Sequence, residues 1–296
     1  MVSLYRRLIR FSLSLNFVYL SLILIFGCSA SEFQSTNLAD VFEIREYGCN
    51  AKNIEWQSRI FKLRTRLGSG IDGSVYEITE KGKTREDLVI KVINSKDPKE
   101  AYLKGMREVE FSQKFSDHSV KTSMIAVYHT AISETEDIYG AFLLKSKVHG
   151  PTLDGLLNFL NKHPMKAQVV FDSFLEFRAN LKRSMLNEMI NDVYIWDFHG
   201  SNIMYDFYKN KWSIVDANLE TNLDDFKNHI LALAPIDIHR THPVSAIYDL
   251  LWRSSVVKSD PEKFVDKMLD IYLLPYQEFF MEILRESTKN PSKVAL

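Results

Sequence analysis

The sequence predicts an α+β chain, strand-rich from about residue 58 to 150 and helix-rich from 151 to 296. Three observations predict it. Five short apolar runs of strand character flank a single helical pattern in the first part. Two longer helical patterns, Leu153 to Leu160 and Gln168 to Ile190, open the second. A polar loop then follows, Asp197-Phe198-His199-Gly200-Ser201-Asn202, with a hairpin pattern behind it and Asp216 fourteen residues after Asn202. A carboxylate and an amide five apart, with a second carboxylate just past a hairpin, can converge on one point.

Length and composition bound the function. With 296 residues, 46% hydrophobic and 25% charged, the chain can bury a core in one large domain or in two lobes. The net charge is -1, and no basic run lies outside the N-terminus, which argues against a general nucleic-acid binder. Two cysteines, Cys28 and Cys49, cannot build a disulfide framework.

Residues 1–30 read as a targeting segment. Arg6, Arg7 and Arg10 precede an apolar run, Phe11 to Phe26, and Gly27-Cys28-Ser29-Ala30 follows. Ile25-Phe26-Gly27-Cys28 resembles a bacterial lipobox, although Phe26 is bulky for its place. That resemblance implies lipidation at Cys28 and membrane attachment. Cleavage after Ala30, an uncleaved signal anchor and a buried N-terminal helix are the other readings. About 16 apolar residues is short for a bilayer span. Loss of residues 1–27 removes three arginines and no acid, so the charge moves from -1 to -4. Positive charge ahead of the apolar run sends the remainder outward, to a secreted or membrane-anchored location.

Residues 31–57 read as a linker or extension, with Glu43 to Tyr47 a weak strand candidate. Ile60-Phe61-Lys62-Leu63-Arg64 alternates as a half-exposed strand does, and Ser74 to Ile78 gives a second strand. Between them runs Leu67-Gly68-Ser69-Gly70-Ile71-Asp72-Gly73-Ser74-Val75. Glycines at 68, 70 and 73 allow backbone N–H groups to approach phosphates closely, although many ordinary hairpins also carry two glycines. Leu88 to Ile93 is a buried-type strand with Lys91 at its middle, and a lysine there is costly unless paired. The bland alternative is a lysine whose tip reaches solvent from an edge. Asp97-Pro98 starts a helix running to about Phe115. Within it, Glu108, seventeen residues after Lys91, and Glu110 face different ways, so only one of the two can point inward as a partner. Met124 to Ile132 and Ile138 to Leu144 complete five strands around the turn at Glu134 to Asp137. In the second part, Val169, Val170, Phe174, Leu175 and Phe177 form the expected core face of a helix. Pro243 to Trp252 and Pro261 to Arg285 read as closing helices. Tyr272, Tyr276, Phe279 and Phe280 read as core.

These parts, in this order, resemble the protein-kinase superfamily over about residues 58 to 285. The glycine-rich stretch matches L-G-x-G-x-x-G-x-V at every fixed position. Val89-Ile90-Lys91, Arg107-Glu108, Asp197 to Asn202 and Asp216 follow. The resemblance implies a two-lobed protein-kinase-like fold: a five-stranded N-lobe with its C helix at 58–150 and a small, mainly helical C-lobe at 151–296. It implies that Leu67, Gly68, Gly70, Gly73, Val75 and Lys91 bind ATP, that Lys91 pairs with Glu108, and that Asp197 orients the acceptor hydroxyl. Asn202 and Asp216 would hold Mg²⁺. Val148 to Leu153 resembles the hinge that meets the adenine edge. The sequence departs from the pattern in places. Ile195 and Trp196 replace His-Arg, Asp216-Ala217-Asn218 replaces Asp-Phe-Gly, and Ala-Pro-Glu is absent. With His199 at the lysine position, Asp-x-His-x-x-Asn also resembles aminoglycoside and choline kinases. The mixture resembles compact bacterial effector-type kinases. His199 either positions the acceptor or γ-phosphate, or braces the loop.

Three functions fit. The first is an ATP- and Mg-dependent phosphotransferase acting on protein Ser, Thr or Tyr. The second transfers to a small-molecule hydroxyl. The third is an exported binding module without turnover, to which the export signal points because nucleotide is scarce outside the cytoplasm. A host cell's cytoplasm, a nucleotide-supplying secretory lumen and a misassigned start codon each reconcile export with turnover. The plain alternative for Asp197, Asn202 and Asp216 is a capped turn and two surface acids. His239-Arg240-Thr241-His242 has metal-like spacing without an evident acidic or cysteine partner, and reads as a solvated loop.

Overall fold

The computed structural model describes residues 44–46, 54–70, 73–129, 138–163, 166–237, 246–248, 250–251 and 256–289. The targeting segment with Cys28, most of the 31–57 extension, Cys49, positions 71–72 of the glycine-rich turn and the run 239–242 lie outside these residues. Among the described residues, no helix is long and apolar enough to cross a membrane.

The strands of the first part are β1 (Ile44–Glu46), β2 (Ile54–Trp56), β3 (Arg59–Ser69), β4 (Gly73–Glu80), β5 (Lys83–Ser95), β6 (Thr122–His129) and β7 (Tyr139–Ser146). They form one seven-stranded sheet in the order β1-β6-β7-β5-β4-β3-β2. Six strands are antiparallel and wrap into a nearly closed, barrel-like sheet. β1 adds to the β6 edge in parallel, with Ile44 opposite Val127.

This corrects the sequence reading. The α+β class is present, but the five-stranded lobe of a two-lobed kinase-like fold is not the architecture. The difference comes from the segment read as an extension. Ile54 is fully buried and pairs with Phe61 across the β2–β3 hairpin. It packs with Phe61, Ile78, Ile90, Val92, Tyr128, Phe142 and Leu144 inside the curved sheet. Burial of one such side chain is worth about 1.5–3 kcal/mol, which secures a strand of only three residues.

The opposite face of the sheet carries α1 (Pro98–Lys114). Asp97 caps it by accepting from the Lys99 N–H at 2.8 Å, and Pro98 takes the first position, where its missing N–H costs nothing. Ala101, Gly105, Glu108, Val109 and Ser112 form its inward stripe. Ala101 and Val109 pack with Ile93, Val127, Ala141 and Leu143.

The second part contains α2 (Leu153–Lys162), α3 (Ala167–Met189), β8 (Tyr194–Trp196), a 3-10 turn at Gly200–Asn202, β9 (Ile203–Asp206), β10 (Lys211–Ile214), β11 (Asn218–Glu220), α4 (Leu223–Asp237), α5 (Val256–Ser259) and α6 (Pro261–Lys289). Thr152 caps α2 through the Gly155 N–H, and Asp260 accepts from the Lys263 N–H ahead of Pro261. Asp-Pro thus starts two helices in this chain.

The inward stripe of α3 is Val170, Phe174, Phe177, Leu181 and Met185, a regular helical period. Val169 and Leu175, also expected in the core, are 61% and 37% exposed. Each has an apolar neighbour, and only one of two adjacent helical residues can face the core. The stripe packs with Phe280 and Trp212, and Phe264, Met268, Leu269, Tyr272 and Leu273 of α6 belong to the same core. A polar seam runs beside it: Arg178 reaches Asp270 at 2.6 Å, and Lys182 reaches Asp266 at 2.7 Å and Glu262 at 2.9 Å.

Candidate active site

Two small ribbons assemble the polar loop. β9 pairs with β10 so that Ile203 faces Ile214. One step beyond, the Val215 N–H donates to the Asn202 carbonyl at 2.8 Å, which sets Asn202 beside Asp216. β8 pairs with β11, with Trp196 opposite Asn218, and this brings Asp197 to the same place. The convergence expected from helix, loop and hairpin spacing is therefore a matter of two ladder registers.

Asp197 has a positive φ of 65°, uncommon for a residue with a side chain. Bonds from three directions hold it there. Its N–H donates to the Tyr272 hydroxyl at 2.8 Å, and its carbonyl accepts from the Asn202 amide at 2.8 Å. Its carboxylate accepts from the Asn218 amide at 3.4 Å, and lies 3.6 Å from Nε2 of His199. Burial holds His199 below the usual histidine range, against the opposing pull of Asp154 and Asp216. Its Nδ1 lies 2.8 Å from the Ser201 hydroxyl, and its Nε2 3.3 Å from the Asn202 amide nitrogen. The ring is thus part of the loop's own hydrogen-bonding, beside the Asp197 carboxylate.

Lys91 stands at the other end of the site. It lies on β5 opposite Val75 of β4 and Leu143 of β7, and Gly68 is opposite Val75. Paired residues share a face of a sheet, so Gly68, Val75, Lys91 and Leu143 form one row across it. The Lys91 ammonium lies 2.5 Å from Oε1 of Glu108 and 2.7 Å from Oδ2 of Asp216. Burial lowers the proton affinity of Lys91, but Glu108 and Asp216 outweigh it, and the net shift is upward. Lys91 is a cation at any physiological pH. Glu110, the other acid of the α1 pair, reaches Lys114 at 3.9 Å.

The glycines divide into two kinds. Among the described residues, a Cβ on Gly68 or Gly70 would meet nothing within 4 Å, and the Gly70 N–H donates to the Gly73 carbonyl at 2.8 Å. A Cβ on Gly73 would overlap the backbone carbonyl of Val92. Gly73 is thus required by strand packing. Leu67, at the end of β3, is half exposed. In the 148–153 segment, the Tyr205 N–H donates to the Pro151 carbonyl at 3.1 Å, and a Cβ on Gly150 would overlap the Tyr205 carbonyl.

Sequence reasoning missed two contributors. Lys145 on β7 is buried and lies 2.5 Å from Oε2 of Glu108. It ends the apolar run Ala141 to Leu144, so the rule that singled out Lys91 also applied to it. Tyr272, read as core, is core and also carries the hydroxyl that accepts from Asp197. Its neighbour Tyr276 donates to Asp154 at 2.7 Å, and these two oxygens fill the space beside Gly200.

Asn202 and Asp216 offer the oxygen donors that suit Mg²⁺. Among the described residues no three His, Cys, Asp or Glu side chains converge on a metal position. Magnesium held by one or two carboxylates and completed by phosphate and water needs no such cage. A cavity of about 580 Å³ lies elsewhere, lined by His118, Phe177, Arg183, Lys211 and Trp212 among others. It carries charges of both signs, and in it the His118 ring lies 3.0 Å from the Ser184 hydroxyl. No family model matches the chain, and no curated protein matches it either.

Proposed function

We propose that the chain is an ATP- and Mg-dependent phosphotransferase that moves the γ-phosphate to a hydroxyl of a protein Ser, Thr or Tyr. The observation that carries this reading is the buried Lys91, held between Glu108 of α1 and Asp216 beyond the β9–β10 hairpin. It joins segments more than a hundred residues apart, on the sheet row that begins at Gly68. A lysine placed to meet phosphates, an open glycine turn, two oxygen donors and a carboxylate on a braced loop are the parts phosphoryl transfer requires.

The roles follow from the chemistry. Gly68 and Gly70 leave room over the turn for phosphates, and Lys91 offsets their charge. Asn202 donates its amide nitrogen to the Asp197 carbonyl, which leaves its Oδ1, with the Asp216 carboxylate, for the metal. Mg²⁺ held by Asn202 and Asp216 would supply positive charge against the charge that develops during transfer. Asp197, with about a third of its side chain exposed, accepts the proton of the acceptor hydroxyl. The acceptor oxygen bonds to the γ-phosphorus, the bond to the bridging oxygen breaks, and ADP leaves. The N-terminal segment, read as an export or lipid-attachment signal, puts this chemistry where that compartment supplies nucleotide. A small-molecule hydroxyl is the second reading. It is favoured by the neutral His199 ring beside the Asp197 carboxylate, which narrows the approach to it.

The test is incubation of the full chain with γ-labelled ATP and Mg²⁺, beside Asp197→Ala. Label on the chain itself or on a generic protein acceptor, lost by several orders of magnitude in Asp197→Ala while nucleotide binding persists, is the expected result. Equal labelling by the variant would remove Asp197 from its role. A melting shift with Mg-ATP but no transfer to any hydroxyl would make the chain a nucleotide-binding module.

A further inference from the structure

Glu108 is not held by Lys91 alone. Lys145 is opposite Val89, two residues from Lys91 on β5, so both lysines rise from one face of the sheet as diagonal neighbours. Two ammonium groups that close would repel. Glu108 separates their demands by giving Oε1 to Lys91 and Oε2 to Lys145, each at 2.5 Å. With Asp216 on Lys91, two cations face two carboxylates. Lys91, Glu108 and Lys145 are 6%, 8% and 6% exposed.

Lys145 has a second acceptor. Its ammonium donates to the Val215 carbonyl at 2.8 Å. The N–H of Val215 is already fixed on the Asn202 carbonyl. The chain immediately before Asp216 is thus held from both sides, by the loop and by Lys145. Lys91 meets this segment through the Asp216 carboxylate, whereas Lys145 meets its backbone.

We infer that Lys145 is a positioning residue that clamps Glu108 of α1 to the Val215–Asp216 segment, so that the site stands assembled before nucleotide arrives. The inference rests on the phosphotransferase reading above. Lys145 touches neither phosphate nor acceptor; it acts through Glu108 and the backbone of Val215.

The experiment compares the full chain with Lys145→Met and Lys145→Arg by two readouts. Hydrogen exchange is followed over 98–114 and 211–220, and kcat and KM for ATP are measured. Lys145→Met is expected to raise exchange in both segments together. It should lower kcat about 100-fold, the scale of a misplaced reacting group, with little change in KM. Lys145→Arg keeps the buried charge but replaces a compact ammonium by a planar fork; it should fold and recover part of kcat. Unchanged exchange over 211–220, or a wild-type kcat in Lys145→Met, would overturn the clamp. If Lys145→Met does not fold, Lys145→Arg decides: a looser 211–220 with lower kcat supports the clamp, and wild-type values in both overturn it. If the unaltered chain transfers no phosphate, the phosphotransferase reading fails, while the exchange comparison still decides whether Lys145 joins the two segments.

Discussion

Gly68, Gly70 and Gly73 belong to one motif in the sequence and to two environments in the structure, and substitution separates them. Gly73→Ala should cost at least about 1–3 kcal/mol, because its Cβ would press on a carbonyl within a paired strand. Gly68→Ala should change stability by no more than about 0.5 kcal/mol, since its Cβ meets nothing, yet weaken Mg-ATP binding by crowding the turn. Chemical denaturation and nucleotide titration of both variants check this; equal stability losses would show that the turn is only a packing feature. Lys91 was legible because a lysine amid Val89, Ile90, Val92 and Ile93 demands a partner. Lys145 obeys the same rule but lies near a strand end, where a tip reaching solvent is the ordinary outcome. Nothing in the spacing of Tyr272 along its helix tells where its hydroxyl lands, so its bond to Asp197 was not readable. The Lys91–Glu108 pairing, by contrast, was implied by the resemblance of Arg107 to Phe111 to the kinase C-helix pattern, with Glu110 as the other choice.

Among the elements, the longer ones declared themselves and β2 did not. Asp97-Pro98 marked the start of α1, and alternation marked β3. β2 has three residues, too few to show a period of two, and its partner lies across a turn, whereas β1, Ile44–Glu46, falls within the weak strand candidate Glu43 to Tyr47. Ile54 decides whether that segment is extension or core. Ile54→Ala should destabilise the chain by about 2–5 kcal/mol, the cost of emptying a buried aliphatic position. Urea unfolding should show a lower midpoint with an unchanged slope. A loss below about 0.5 kcal/mol would return residues 54–56 to the status of a surface extension. The misassigned face of α3 has a similar cause: 169/170 and 174/175 are apolar pairs, and only packing against α6 and Trp212 chooses between their members.

At the scale of the whole molecule, the sheet and the helical part meet where the α1–β6 loop crosses α3 and β10, and His118 is the residue common to all three. Its carbonyl accepts from the Ile214 N–H at 2.6 Å, its ring lies 3.0 Å from the Ser184 hydroxyl, and Phe177 packs edge-on against it. Burial holds His118 below the ordinary histidine value; Asp117 opposes that, and Lys211 and Arg183 reinforce it. A histidine that binds its proton less readily when folded contributes stability above the unfolded value of about 6.5. That stability is lost as pH falls through the folded value, because the unfolded chain then binds more protons. His199 is shifted in the same direction, so acid should loosen the junction and the loop together. His118→Gln keeps a neutral partner for Ser184 and removes one titrating ring. Melting temperature measured from neutral pH to about pH 5 should fall less steeply in this variant than in the unaltered chain. Parallel curves would mean that the ring at the junction takes up its proton equally in the folded and the unfolded chain, and that acid acts on this fold through His199 or through the carboxylates instead.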